Sequence, residues 1–411
     1  MAPVSAPHFL RLYACFASAY LLSYFYRNVN AVISPELSAE LGIHAASLGL
    51  LTGAYFFAFA AMQLPAGMLL DRYGPRRVEP VLLSIAGCGA LAFAASNGLP
   101  GLAFARALIG AGVSVCLMAP LKAIATWYPT ERQASLSGWI MVAGGVGALL
   151  ATAPLAAALA VLSWRGVFVV LAVATFAAAA AIFVFVPDVP RRPQASGLVE
   201  QWRGVVSVFR NPRFWWLAPL PMVSTGSFMA IQGLWSVPWL IEVEGYSREV
   251  AARHLLLMGV VILGGYLGLG LFATHLGRRG FSPRHLFGMG FALNIVALAL
   301  ITTRALPFTY VLWAAYGLGS TVNVLGFTVL GEGFPRELTG RVNTALNLLM
   351  FSGSFLSQWG IGVIVDAARI ELGADTAGGL RLAFVVSLGI QLATYAWFMF
   401  GWRRHALPSS A

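Results

Sequence analysis

GMLLDRYGPRR, residues 67–77, sets four charged side chains (Asp71, Arg72, Arg76 and Arg77) in a tight turn between two apolar runs, 46–70 and 78–97. Each run is long enough to cross a bilayer as a helix, which takes about 20 mostly apolar residues. Gly74-Pro75 supplies a helix stop followed at once by a helix start, because glycine ends helices and proline fits their first turn. The segment predicts a transmembrane hairpin with a charged turn. It also recurs: GLFATHLGRRG (Gly270 to Gly280) follows another apolar run 203 positions later, with Thr274 in place of Asp71. YPTERQASLSG (Tyr128 to Gly138) and FPRELTGRVN (Phe334 to Asn343) form a second pair at an offset of 206. Two loops repeating at nearly one offset predict a duplicated unit.

Scanning outward gives twelve apolar runs: 9–34, 46–70, 78–97, 99–126, 133–160 and 164–186, then 214–241, 249–275, 283–303, 306–331, 337–366 and 379–402. The expected fold is an all-α membrane protein with twelve transmembrane helices in two pseudo-symmetric six-helix bundles. Residues 1–186 and 214–411 are the bundles and 187–213 the linker, in which VEQWRGVVSVFR reads as a short surface helix. The composition agrees: 59% of the 411 residues are hydrophobic and 10% charged, with a mean hydropathy of +0.79. Soluble domains carry about 25% charged residues, so a soluble enzyme, a disulfide scaffold and a disordered chain are excluded together.

The net charge of +11 needs no nucleic-acid partner. With the N-terminus inside, cytoplasmic segments hold 17 of the 26 basic residues and external segments hold six. That asymmetry follows the positive-inside rule and predicts a bacterial-type inner-membrane protein with both termini cytoplasmic and a retained first span. Cys15, Cys88 and Cys116 stand singly in apolar runs, so no disulfide, metal site or cofactor is expected. No HExxH, GxSxG or intramembrane Asp pair suggests an enzyme.

The first loop resembles the GxxxDRxGRR signature of the major facilitator superfamily at Gly67, Asp71, Arg72, Gly74, Arg76 and Arg77, with Pro75 at a usually basic place. Arg106, Gly110 and Gly112 are similar to that superfamily's fourth-helix RxxxGxG motif, and Gly144, Gly145, Gly147 and Pro154 to its glycine-rich fifth-helix motif. The resemblance covers essentially the whole chain. It implies two bundles rocking about a central site, with Asp71, Arg72 and Arg76 gating. Asp71 would pair with Arg72, Arg76 or a neighbouring helix end, although topology determination alone also explains the loop.

Three basic residues lie inside spans: Arg27, Arg106 and Lys122. An ionisable group at membrane depth is costly and marks a functional site by default. Tyr20, Ser23, Tyr24, Arg27, Asn30 and Ser34 recur at helical spacing. A guanidinium among them suits bidentate capture of an acidic group; a structural clamp on a carbonyl is the competing reading. SYFYRNVN also resembles the first helix of the organophosphate:phosphate antiporters and the anion:cation symporters. It departs from both in carrying Asn28 and Asn30 rather than an asparagine two places after the Arg, and from the symporters in having Tyr26 where they carry Asp. The phosphate antiporters carry a second Arg in the seventh span, where this chain has no basic residue, so the resemblance implies a carboxylate rather than a phosphate ester. Lys122 is the chain's one lysine; snorkelling to the surface competes with a functional role.

No Asp or Glu is expected deep in a span, since Glu36, Asp71, Glu332 and Asp366 fall near ends, so a carboxylate relay is not anticipated. His254 and His275 remain for proton chemistry, with structural roles the commoner fate of lone histidines. Gln232 and Trp235 on the seventh span, the stripe Trp313, Tyr316, Ser320 and Asn323 on the tenth, and Asn343 and Asn347 on the eleventh offer polar and aromatic faces that packing would equally explain. The expected function is secondary transport of a small organic anion by a monomer in the lipid bilayer, with a coupling proton or counter-anion as further partner. Arg27, Tyr24, Asn30, Arg106, Lys122, Gln232, Trp235, Asn343 and Asn347 would contact substrate. An exporter of drugs or siderophores and a transporter-like membrane sensor are the alternatives.

Overall fold

The computed structural model describes residues 6–128, 130–188, 198–331, 334 and 339–404, and every regular element among them is helical. In chain order these are α1 (Ala6–Leu41), α2 (Ala45–Tyr73), α3 (Pro75–Ala95), α4 (Leu99–Val113), α5 (Met118–Trp127), α6 (Thr130–Leu150), α7 (Ala153–Ala158) and α8 (Trp164–Phe185). Next come α9 (Leu198–Phe209), α10 (Pro212–Leu217), α11 (Pro219–Ala230), α12 (Ser236–Pro238), α13 (Arg248–Arg278), α14 (Pro283–Thr303), α15 (Thr309–Ser320), α16 (Leu325–Gly331), α17 (Thr339–Leu372) and α18 (Thr376–Arg404). The protein is an all-α, multi-pass membrane protein. The linker helix expected at VEQWRGVVSVFR occurs as α9, which packs on α2 and α17.

Among the described residues nine helical segments are long and apolar enough to cross a membrane. The other three expected runs each depart from that simple form. The first carries a polar stripe, and the fifth breaks at Ala151–Thr152 between α6 and α7. The seventh alternates α11 and α12 with two π-helical stretches, Ile231–Trp235 and Trp239–Val243. Pro238, between the two π stretches, removes a backbone donor there, whereas Pro219 and Pro221 lie in the first turn of α11, where proline is tolerated. Wide π turns are frequent at functional positions.

The quoted turn behaves as its chemistry requires. Gly74 takes φ 78° and closes α2 by donating its amide to the Leu70 carbonyl at 3.0 Å, and Pro75 then opens α3. The RxxxGxG glycines work by close approach, which lets helix backbones touch in a membrane. A Cβ on Gly110 would strike the Tyr55 carbonyl, and one on Gly112 would strike Leu82 and Ala86. The fourth and tenth runs break at matching places: residues 114–117 separate α4 from α5, and 321–324 separate α15 from α16, an offset of 207. The sequence repeat is thus also a repeat of helix discontinuities.

Three described polar pairs join the first 186 residues to those after 213. Arg248 pairs with Glu36, Asp366 accepts from the Ala46 amide at 2.8 Å, and Asn347 donates to Gln63 at 2.9 Å. Backbones meet where Gly49 faces the Gln358 carbonyl and Gly362 faces that of Ala45. All of these lie between the α1–α2 connection and the mid-depth of α2. No described polar pair crosses between the two parts nearer the DRYGPRR turn.

Candidate functional site

Arg27 sits near the middle of α1 and is 9% exposed. Its guanidinium carbon is 4.4 Å from the Tyr24 ring centre and 5.4 Å from those of Phe59 and Phe351. Phe59 belongs to α2 and Phe351 to α17, with ring centres 4.3 Å apart, so both parts of the chain wall this charge. Cation–π contacts stabilise a guanidinium by about 0.5–2 kcal/mol each, more when desolvated, and Tyr55 lies against this one as well. Among the described residues no carboxylate lies within ion-pair reach of Arg27, and its Nε has no hydrogen-bond partner. The result is a fixed positive charge in an apolar, aromatic setting.

Other rings complete the wall. Tyr20 packs edge-on to Tyr24 at 5.0 Å. Tyr266 of α13 lies within electrostatic range of Tyr20, Tyr24 and Arg27, keeps 38% of its surface accessible and donates to Asn323 at 3.4 Å. Gly144 of α6 faces the Tyr20 and Tyr24 rings, which accounts for one glycine of the fifth run. One helical turn from Phe59 and Phe351, towards the DRYGPRR end, lies the Gln63–Asn347 hydrogen bond. The site thus has a cationic pole, aromatic sides and an amide pair below.

The polar stripe of α1 divides between two faces. Tyr24 and Arg27 look towards α13 and α17, whereas Asn30 is wholly buried and donates to Thr52 of α2 at 2.9 Å. Arg106 is also fully buried. It donates to the Tyr26 carbonyl at 2.9 Å and lies 4.9 Å from the Tyr55 ring centre, so it grips α1 one residue from Arg27. Tyr55 stands between the two arginines and donates to the Ser23 carbonyl at 3.3 Å. Lys122 reaches neither. It donates to Asp71 at 2.5 Å and to the Leu70 carbonyl at 2.7 Å, fastening α5 to the end of α2. Asp71 therefore pairs with Lys122 rather than Arg72 or Arg76. Arg72 lies against Tyr73, and Arg76 bonds the Phe183 carbonyl and faces Asp188.

In the later chain, Trp235 is 2% exposed and donates to the Gln358 carbonyl at 3.2 Å, a packing role on the sealed side. Gln232 is half-buried next to it. Asn343 lies one turn from Asn347, with its buried Oδ1 unpartnered. His254 bonds Thr309 and the Val250 carbonyl and stacks on Tyr310. The side chains of Thr274 and His275, and Glu332 altogether, lie outside the described residues. Tyr55, Phe59, Gln63, Tyr266 and Phe351 are site residues that the sequence reading missed. Gln63 alone carried a usable signal, as an amide inside the strongly apolar run 46–70.

The expectation of no acid within a span needs correction. Glu79, one turn into α3, has 0% exposure and both oxygens unpartnered. Its closeness to the charged turn disguised it as a surface residue, but α3 packs along α4 and α8 and leaves it wholly buried.

The sequence model of the Major Facilitator Superfamily matches residues 16–358. The hexuronate transporter of Escherichia coli (strain K12) is 29% identical over 271 residues, 60% of this chain and 62% of that protein. The chain thus aligns with somewhat less than two thirds of that relative. The probable galactarate/D-glucarate transporter of the same strain is 23% identical over 387 residues, 84% of this chain and 85% of that one. A quinolone resistance transporter of Acinetobacter baumannii is 25% identical over 176 residues, 41% of this chain and 40% of that one. In structure, a bacterial homologue of the human lysosomal transporter Spinster, inward-facing and unoccupied, superposes with a TM-score of 0.78 at 19% identity, covering 97% of this chain and 98% of that one.

Proposed function

The chain belongs to the Major Facilitator Superfamily, and from that premise we propose that it carries a small sugar-acid anion of the hexuronate type across a bacterial inner membrane by alternating access. The carrying observation is Arg27, a buried guanidinium that the described residues leave without a counter-ion and that both parts of the chain enclose. A carboxylate pairs with its planar fork through two parallel hydrogen bonds. The rings of Tyr24, Phe59 and Phe351 suit the C–H face of a sugar, and Gln63, Asn347, Tyr266 and Asn323 suit its hydroxyls. A carboxylate is favoured over a phosphate ester because no second base joins Arg27. The curated relatives named for hexuronate and galactarate/D-glucarate support this class.

In this reading the chain crosses twelve times in two six-helix bundles, residues 1–186 and 214–411, with linker 187–213 and both termini cytoplasmic. The first, fifth and seventh runs supply the remaining crossings. The DRYGPRR end is then cytoplasmic and the sealed α1–α2 end external, so the conformation is inward-facing. Lys122–Asp71 ties α5 to α2 within the first bundle and gates the inner mouth with Arg72 and Arg76. Asn30 and Arg106 act by holding α1 in place, and Gln232, Trp235 and Asn343 border the site from the second bundle. The carrier works as a monomer.

Counterflow of radiolabelled galacturonate into proteoliposomes tests the reading. Arg27→Ala should lower apparent affinity by about 30-fold or more, since truncating a buried, hydrogen-bonded charge pair costs about 2–5 kcal/mol. Unchanged exchange by that variant sinks the assignment. The quinolone resistance relative supports a second reading, export of an apolar drug; faster flux of a quinolone than of galacturonate out of loaded vesicles would select it.

A further inference from the structure

We propose that Glu79 is the proton-binding site of this carrier, taking one proton from the external water with each anion and releasing it to the cytoplasm. The proposal rests on the reading of the chain as an anion carrier and adds the coupling ion and its residue.

The surroundings of Glu79 argue for a neutral, proton-bearing carboxyl. It is wholly enclosed, and neither oxygen has a hydrogen-bond partner among the described residues. An ionised carboxylate in such a place lacks both water and a counter-charge, the two things that make it tolerable. Among the described side chains the nearby helices supply none. From α1 comes Cys15, and from the α4–α5 break comes Cys116; both thiols lie within electrostatic range of Glu79. On its own helix, Arg76 and Arg77 turn away to Asp188. Lys122 of α5 is taken by Asp71 of α2, and Arg106 of α4 by the Tyr26 carbonyl. The one ionisable residue of α8, Arg165, is at its far end with Glu40.

Glu79 also sits where the helix assembly can move. Residues 114–117 interrupt the fourth run, and Cys116 within that break adjoins Glu79. Beyond the break α5 is held to α2 through Lys122 and Asp71. A swing of α5 about this hinge admits water from the DRYGPRR end to the carboxyl, giving the proton an exit that the present packing closes.

Arg27 provides the link to the anion. Cys116 lies within electrostatic range of both Arg27 and Glu79. In this proposal an anion bound to Arg27 tightens proton binding at Glu79, and by reciprocity the proton tightens anion binding. Proton and monovalent anion then travel together with no net charge moved.

Two measurements test the proposal on the full-length protein. In proteoliposomes, an inward gradient of one pH unit should drive about tenfold accumulation of galacturonate by the wild type, the equilibrium ratio for one proton per anion. Glu79→Gln, which matches the protonated carboxyl in shape, should still exchange galacturonate but accumulate none above equilibrium, and Glu79→Asp should recover part of the drive. Gradient-driven accumulation by Glu79→Gln at the wild-type level overturns the proposal. So does loss of both exchange and accumulation at an unchanged unfolding temperature. The second measurement needs no substrate: dicyclohexylcarbodiimide, an apolar reagent for protonated carboxyls, should label Glu79 in mass spectra, less so as pH rises. Absent or pH-independent labelling overturns the proposal. Failure of the wild type to exchange galacturonate, with labelling intact, sinks the sugar-acid reading and leaves the proton site standing.

Discussion

Two buried arginines lie on either side of Tyr55, and their difference separates the proposed binding site from a structural clamp. On the face towards α13 and α17, Arg27 meets aromatic rings and has spare donors. On the face towards α2 and α4, Arg106 is sealed and spends a donor on the Tyr26 carbonyl. Both are arginines at membrane depth, and composition gives each the same claim on a ligand. Who supplies the surrounding wall decides between them. Arg106 is enclosed by neighbours within the first 186 residues, which move as one body in the proposed mechanism. Arg27 is enclosed by side chains from both parts of the chain, which would move apart in it.

Substitutions can break or sharpen that contrast. The largest effect is expected from Arg27→Ala, which should abolish measurable galacturonate exchange while leaving the unfolding temperature close to wild type. Arg106→Ala should do the reverse, lowering thermal stability through the loss of a charge-assisted hydrogen bond of about 1.5–3 kcal/mol and reducing transport only as far as folded protein is lost. A ligand-protection experiment separates the two: galacturonate should raise the unfolding temperature of Arg106→Ala but not of Arg27→Ala. Equal protection of both variants would collapse the distinction.

Smaller effects follow further from the arginines. Asn347→Ala removes the partner of Gln63 and should raise the KM for galacturonate by about 2- to 10-fold, the worth of a neutral hydrogen bond, with stability nearly unchanged. Lys122→Met frees Asp71 from a pair that is partly exposed, 28% and 42% for the two side chains. The gain in cytoplasmic accessibility of a cysteine placed at Thr126 should be modest, since solvent screens such pairs to about 1 kcal/mol or less. The smallest effect belongs to Glu40 at the outer end of α1. Hydrogen bonds from Trp164 and Arg165 hold its carboxyl below the usual carboxylate range. A depressed value means that its contribution is present at neutral pH and lost as pH falls through the folded value. Wild type and Glu40→Gln should therefore differ slightly in unfolding temperature at pH 7 and converge as pH falls through the folded value.

Legibility tracked the solvent contrast. The apolar helices and the repeated loops were readable because a bilayer demands long apolar runs and concentrates charges in turns. Arg27 stood out for the same reason. Tyr55, Phe59 and Phe351 did not, because an aromatic residue in an apolar run reads as packing until its neighbour is known. Glu79 was hidden by its nearness to DRYGPRR, where a carboxylate normally meets water.

By itself the amino-acid sequence determined that this protein lives in a membrane, is helical throughout its apolar runs, repeats itself at an offset near 206 and carries an excess of interior cations. Those properties follow from the cost of exposing peptide and charge to hydrocarbon, a cost each segment meets alone. The tertiary structure decided which cation faces a partner across the central divide, which one is consumed by a backbone carbonyl and which carboxyl is shut away from water. Such outcomes depend on side chains brought together from distant segments, and periodicity along one helix gives a direction without saying what waits there.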